Sequence, residues 1–325
     1  MTRVQTPSVT EFELIAGYFT RATRHTVLGI GDDAALLKVR EGFELVAATD
    51  MMVEGTHFFP AVDAEALGHK VLAVNLSDMA AMGAQPRWAM LAIALPEADP
   101  DWLEKFARGF FALASRYDVD LIGGDTTRGP RNLCVQIMGE VEAGRALRRD
   151  RARIGDDVWV SGVLGEAALA VAHLKGETRL PETILNRCML RLDRPQPRVE
   201  LGRALVGMAH SAIDVSDGLL ADLGHICERS GVGAMIDFAA MPCAAELPPE
   251  TEQGPLMRAL LTGGDDYELC FTAHREHRRK LASLSERLDL ALTRIGSTVQ
   301  GGGVALRDAN GQPMHWKEKG FEHFR

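Results

Sequence analysis

The chain predicts a mixed αβ protein (α/β with α+β character) made of two αβ domains, residues 1–150 and 151–325. Three observations predict it. Apolar runs of strand length alternate with longer helix-forming stretches in both halves. A chain of 325 residues suits roughly two domains of about 150 residues each. Residues 145–156 are charged and carry no hydrophobic period, which places the boundary there.

In the first half, residues 45–50 read as a short strand ending in Thr49 and Asp50. Residues 66–81 are helix formers, with Leu67, Val71, Val74 and Asp78 on one face. Residues 89–95 form the next strand. Asp99-Pro100 is a helix start, a cap followed by proline in the first turn. That helix runs to about Tyr117, with Trp102, Phe106, Phe110 and Leu113 inward. Strands follow at 119–122, stopped by Gly123-Gly124, and at 133–141. In the second half, 157–163 is a strand and 165–175 a helix. A proline-rich linker at 194–197 precedes a helix reaching Ala209. Residues 212–215 form a strand, and Ser216 or Asp217 caps a helix to about Ser230. The alternation continues through 255–261, 267–272 and 276–288, and 301–325 is rich in turns.

Composition excludes several classes of function. The net charge of −9 includes no basic block to neutralise a polyphosphate backbone, so nucleic acid is not an expected partner. No apolar run approaches the roughly 18 residues of a membrane span, and the first residues lack a signal-peptide core. Cys134, Cys188, Cys227, Cys243 and Cys270 are scattered without a CxxC pair. Reduced thiols in a cytoplasmic protein are the expectation.

Five segments end a hydrophobic run with aspartate beside glycine, serine or threonine: GIGDD (29–33), ATD (48–50), NLSD (75–78), GGD (123–125) and DVSDG (214–218). One such aspartate is an ordinary cap. Several together suggest a patch of hard oxygen ligands, because clustered carboxylates resist ionisation unless a cation lies among them. Carboxylates with few His or Cys neighbours suit Mg²⁺, Mn²⁺ or Ca²⁺ rather than zinc. Asp78 lies on an apolar helix face, where a lone carboxylate is expensive, and Asn75 one turn earlier offers a neutral oxygen. The paired glycines before Asp125 permit close backbone approach, while Thr126, Thr127 and Arg128 can meet phosphate oxygens. DVSDG leads into a helix whose N-terminus suits phosphate, although its aspartates would repel one without a metal between them. Residues 29–34 also fit GxGxxA, but two aspartates occupy the turn where amides should meet a pyrophosphate, and no crossover helix follows. Walker, protein-kinase, HExxH and GxSxG patterns are absent.

The segments GIGDDAALL (29–37), NLSDMAAMG (75–83), GGDTTRGP (123–130), IDVSDGL (213–219) and GGDDYEL (263–269) resemble, in this order, the thiamine-monophosphate kinase family of the aminoimidazole ribonucleotide synthase superfamily. The stretch from Trp316 to Phe324 also resembles that family's C-terminal signature. The resemblance implies a homodimer in which N-terminal sheets complete a barrel. It implies phosphorylation of thiamine monophosphate to thiamine diphosphate with ATP as co-substrate and several Mg²⁺ ions, by direct in-line transfer. By the same likeness, Asp33, Thr49, Asp50, Asp78, Asp125, Asp214 and Asp217 match metal positions, with Asp50, Asp78 and Asp125 central to catalysis. Tyr117, Gly124, Asp125, Arg149 and Ser216 match nucleotide positions, and His57, Asp265 and Phe321 match the substrate pocket. Ala48 stands where many relatives have serine, Asp265 where they often have glutamate, and Phe321 where others have tyrosine or tryptophan. Another ATP-using superfamily member, such as aminoimidazole ribonucleotide synthase, is the nearest alternative. A non-enzymatic cation-binding protein is a more distant one, and no EF-hand loop supports it.

Overall fold

A computed structural model describes residues 10–243, 253–317 and 320. The chain divides into two compact units, residues 1–75 with 86–140, and residues 76–85 with 141–325.

The first unit opens with α1 (Glu11–Leu14), which widens into a looser turn over Ile15–Phe19. A two-stranded ladder follows, β1 (Thr26–Leu28) with β2 (Leu36–Leu37). Then come β3 (Phe43–Val53), α2 (Ala64–Ala81, whose residues from 76 onward belong to the second unit), β4 (Gln85–Leu95), α3 (Pro100–Tyr117), β5 (Asp120–Arg128) and β6 (Asn132–Glu142). The four longer strands form one sheet in the order β3-β6-β4-β5. Side chains alternate across it. Leu91, Ile93 and Leu95 of β4 and Leu133, Val135 and Ile137 of β6 are buried, and the residues between them are half-exposed.

Asp99 caps α3 as its sequence predicts, its carboxylate accepting from the amides of Asp101 and Trp102. The helix α2 is buried on nearly every side rather than along one stripe: Leu67, Val71, Leu72, Asn75, Leu76, Ser77 and Met79 are all inaccessible. It meets α3 backbone to backbone. A methyl on Gly68 would stand 2.0 Å from the Phe106 carbonyl oxygen, and one on Gly109 would stand 1.9 Å from that of Glu65. Two glycines therefore set how closely the helices cross.

The strand expected to stop at Gly123-Gly124 instead runs through them to Arg128. Between its pairings with Ala89 and Met90 it holds one extra residue, Ile122, a β-bulge. Gly124 makes this passage possible. Its φ is +150°, and a side chain there would collide with the Leu91 carbonyl at 1.8 Å.

The second unit contains β7 (Asp157–Ser161), α4 (Glu166–Leu174), α5 (Glu182–Asp193), α6 (Val199–Leu205), β8 (Ala209–Asp214), α7 (Leu219–Ser230) and β9 (Gly233–Asp237). It continues with α8 (Gln253–Thr262), β10 (Leu269–Ala273), α9 (Arg278–Leu288), β11 (Leu292–Val299), β12 (Gly303–Arg307) and β13 (Pro313–Met314). One sheet gathers the strands as β13-β12-β9-β11-β7-β10-β8, antiparallel except where β12 joins β9. Val158, Val160, Ile213, Cys270 and Ile295 of this sheet pack with Leu219, Leu223 and Ile226 of α7 in one apolar core. The helix expected to reach Ala209 stops at Leu205, and β8 begins where it should have ended. The charged, arginine-bearing sequence of α5 and the strands β9, β11 and β12 were not anticipated.

Candidate active site

In the first unit, the GIGDD turn and the β5 bulge face one cavity of about 640 Å³. Asp32 and Asp33 come from the turn, and Gly123, Gly124, Asp125 and Thr126 from the strand. Phe12, Phe19, Met90 and Leu121 supply apolar wall. The turn is short: the amide of Asp33 donates to the Asp32 carboxylate at 2.9 Å, and β2 follows rather than a helix. Asp33 and Asp125 are both exposed, so each carboxylate remains hydrated and able to take a cation.

Asp50 lies on β3, half-buried. Its amide donates to the side-chain oxygen of Asn75 at 3.2 Å, and Asn75 in turn donates to the Val71 carbonyl at 3.0 Å. The neutral oxygen expected to sit beside Asp78 is thus committed to holding Asp50 on its strand. Thr49 points to the opposite face of β3, its hydroxyl donating to the Val135 carbonyl at 3.1 Å. Its hydroxyl therefore turns away from the Asp50 carboxylate. His57 stands in the turn after β3, and its Nδ1 accepts from the Val53 amide at 3.0 Å, which fixes the ring against the end of that strand. Arg131, over the Trp102 ring at 5.1 Å, pairs with Glu54 in the same turn. Neither His57 nor Tyr117 lines the 640 Å³ cavity. Tyr117 is buried at the end of α3 beneath Arg116.

In the second unit, three segments meet. Asp214 ends β8 at 5% exposure, and the Ser77 hydroxyl of α2 lies beside its carboxylate. Burial pushes the Asp214 carboxyl upward, and Asp217 adds to this; Ser77 and Arg149 hold it back. Arg149 sits in a single turn (Arg149–Arg151) whose carbonyl receives the Ser230 hydroxyl at 2.7 Å, tying it to the end of α7. Asp78 is half-buried one residue beyond Ser77.

The loop into α7 is not capped as expected. Neither Ser216 nor Asp217 caps the helix; Gly218, at φ +112°, occupies the cap. Instead the carboxylate of Asp222, in the first turn, accepts from the amides of Ser216 at 3.0 Å and Asp217 at 3.1 Å. Burial first, then the charges of Asp214 and Asp217, push Asp222 up to about 7. Sequence reasoning missed Asp222. An acidic residue four positions after the glycine of DVSDG was the available signal.

GGDDYEL packs on the same loop. The amide of Asp265 donates to the Ser216 carbonyl at 2.9 Å and that of Tyr267 to Val215 at 2.8 Å. A methyl on Gly264 would lie 2.2 Å from the Ser216 oxygen, so only glycine allows this approach. Asp265 and Tyr267 adopt left-handed backbone at φ +66° and +51°, a strain on the order of 1–3 kcal/mol each that surrounding contacts must sustain. Those contacts are specific. Both oxygens of Asp266 receive the Gly165 amide at 2.9 and 3.0 Å, and Glu268 receives Arg198 in a two-point pair and the Ser161 hydroxyl at 2.5 Å. Gly320 passes against the Asp217 carbonyl, where a methyl would stand at 2.5 Å. Phe321, the other expected pocket residue, lies outside the described residues.

Among the described residues, no three His, Cys, Asp or Glu side chains close a metal site by themselves. Mg²⁺ is usually held by one or two carboxylates, with phosphate oxygens and water completing its shell. The mutual repulsion of Asp214, Asp217 and Asp222 is what a nearby cation would relieve.

Fold and sites define a protein of the AIR synthase related class: residues 31–141 match its N-terminal domain and residues 153–309 its C-terminal domain. Within that class the chain belongs to the thiamine-monophosphate kinase family. It is 44% identical to the thiamine-monophosphate kinase of Salmonella typhimurium, over 97% of this chain and 98% of that protein. The crystal structure of the thiamine-monophosphate kinase from Stenotrophomonas maltophilia K279a superposes with a TM-score of 0.82 at 52% identity, covering 87% of this chain and 91% of that one. AaThiL complexed with AMPPCP and TMP superposes with a TM-score of 0.77 at 33% identity, over 91% and 92% of the two chains.

Proposed function

We propose that this protein transfers the γ-phosphoryl group of ATP to the phosphate of thiamine monophosphate, forming thiamine diphosphate and ADP. The observation that carries the reading is similarity over nearly the whole chain to kinases of that name, at 44% identity. The carboxylate-rich loops supply its physical rationale.

The acceptor is a phosphate monoester, with a second pKa near 6, so at neutral pH it is already largely an oxyanion. No general base is needed to create the nucleophile. The obstacle is repulsion: two unit charges at 4 Å cost about 4 kcal/mol at an effective dielectric of 20, and several charges meet here. Asp33, Asp50, Asp78, Asp125, Asp214 and Asp217, with the main-chain oxygen of Thr49, are the groups that would hold Mg²⁺. Bound there, Mg²⁺ would neutralise the phosphate oxygens and favour in-line displacement. Asp50, Asp78 and Asp125 are the ligands on which turnover depends most.

Gly124 and the amide of Asp125 let the nucleotide phosphates approach the backbone, and Ser216 offers a hydroxyl in the loop before α7. Arg149 adds positive charge. His57 and Asp265 orient thiamine monophosphate, with Phe321 covering a face of the thiamine. The protein acts in the cytoplasm as a homodimer. The exposed apolar residues of β3, Leu45 at 49% and Met51 at 54%, support pairing of the N-terminal sheets of two copies.

The test is turnover of purified protein with ATP and Mg²⁺, reading thiamine diphosphate and ADP by chromatography. Thiamine diphosphate forming in step with ADP is expected. ATP consumption with formylglycinamidine ribonucleotide but not with thiamine monophosphate would overturn the reading in favour of a synthase.

A further inference from the structure

We propose that Tyr267 is a positioning residue for Asp265, and thereby sets how tightly the phosphorylated acceptor is held. The proposal rests on the assignment of Asp265 to the acceptor pocket. Three consecutive residues of GGDDYEL have divided roles. Asp266 is turned to the start of α4, where its two oxygens receive the Gly165 amide. Asp265 and Tyr267 meet each other, the tyrosine hydroxyl donating to Asp265 Oδ1 at 3.0 Å. Both hold a left-handed backbone, which a tyrosine adopts only where the surroundings enforce it.

The surroundings do enforce it. Main-chain bonds from Asp265 and Tyr267 to Ser216 and Val215 clamp the tripeptide on one side, and Arg198 and Ser161 fix Glu268 just beyond. Glycine at position 267 would relieve the backbone strain, but it would supply no hydroxyl for the carboxylate. A ring that only filled space could be phenylalanine. The hydroxyl is the part of Tyr267 that acts on Asp265, and a carboxylate held in one rotamer meets its ligand without losing side-chain freedom on binding. Aspartate is short, so the direction of its carboxylate decides where a bound partner must lie.

The experiment is steady-state kinetics on the full-length enzyme with Tyr267→Phe, Asp265→Ala and the double variant. Tyr267→Phe removes one oxygen and leaves the ring, so its melting curve should match that of the parent. It is expected to raise the KM for thiamine monophosphate roughly tenfold, the worth of one hydrogen bond to a charged group. The kcat and the KM for ATP should stay within about twofold, the pattern of lost uniform binding. Asp265→Ala should raise the same KM at least as far, and the double variant should be no worse than Asp265→Ala alone. An unchanged KM in Tyr267→Phe, with a raised KM in Asp265→Ala, overturns the proposal and leaves the pocket assignment standing. Losses that add in the double variant also overturn it, because Tyr267 would then act on the acceptor directly. An unchanged KM in Asp265→Ala removes the pocket assignment and the proposal with it.

Discussion

Asp50, Asp78 and Asp125 differ in how the protein holds them, and this bears on what their loss should do. Asp125 is exposed on a strand that passes its glycines by a bulge, and the amide of Asp50 donates to the Asn75 side chain. Asp78 is half-buried near the end of α2. Replacing each by asparagine preserves volume and removes only charge. Each of Asp50→Asn, Asp78→Asn and Asp125→Asn is expected to lower kcat by roughly two orders of magnitude or more at saturating Mg²⁺, the scale of losing one pre-organised electrostatic contact. Melting temperatures should change little. Three variants that turn over like the parent would remove the metal assignment. The contrast is Asp222, whose carboxylate grips two loop amides: its replacement would act first on the loop.

At the scale of elements, the crossing of α2 and α3 is the clearest case of packing deciding geometry. Gly68 and Gly109 stand against each other's helix, within 2.0 Å of backbone oxygen for any added methyl. Alanine is the better helix former by about 1 kcal/mol, so propensity alone predicts stabilisation. The neighbours here are backbone atoms and cannot rotate away. The helices would have to separate, and overpacking of this kind costs about 1–3 kcal/mol or more. Gly68→Ala and Gly109→Ala should therefore each lower the unfolding midpoint in urea. A rise in either would show that the crossing can relax. Neither glycine stood out in the sequence, because a close approach between segments some 40 residues apart leaves no local pattern. Periodicity did reveal α2, α3 and most of β3, β4 and β6, whose signals are local. It failed at β5, where glycines usually mean a stop but here carry a bulge. The short strands β9 and β12 went unread as well, and so did α5, although its buried Ile184, Cys188 and Leu192 carry helical spacing. The motifs drew attention to Asp33, Asp125, Asp214 and Asp265, while the bonds from the Ser216 and Asp217 amides to Asp222 and from the Tyr267 hydroxyl to Asp265 follow no local pattern.

For the whole molecule, β3 presents a problem that the fold must resolve. It is 11 residues long and lies at the edge of its sheet. Its odd-numbered residues, Leu45, Ala47, Thr49 and Met51, share one exposed face, where two large apolar side chains are about half accessible. A long apolar edge left open invites uncontrolled pairing, and soluble proteins blunt such edges with charge, proline or a bulge. Between Leu45 and Met51 this strand has no charge on that face and no proline. A second copy is an occupant of matching chemistry, since a two-fold axis sets the same apolar row against itself. A double substitution, Leu45→Glu with Met51→Glu, places like charges on that row without touching Asp50 on the opposite face. Light scattering at micromolar concentration should show a dimer for the parent and a monomer for the double variant. A parent that is monomeric, or a variant that stays dimeric, would mean that this face of β3 does not join two copies.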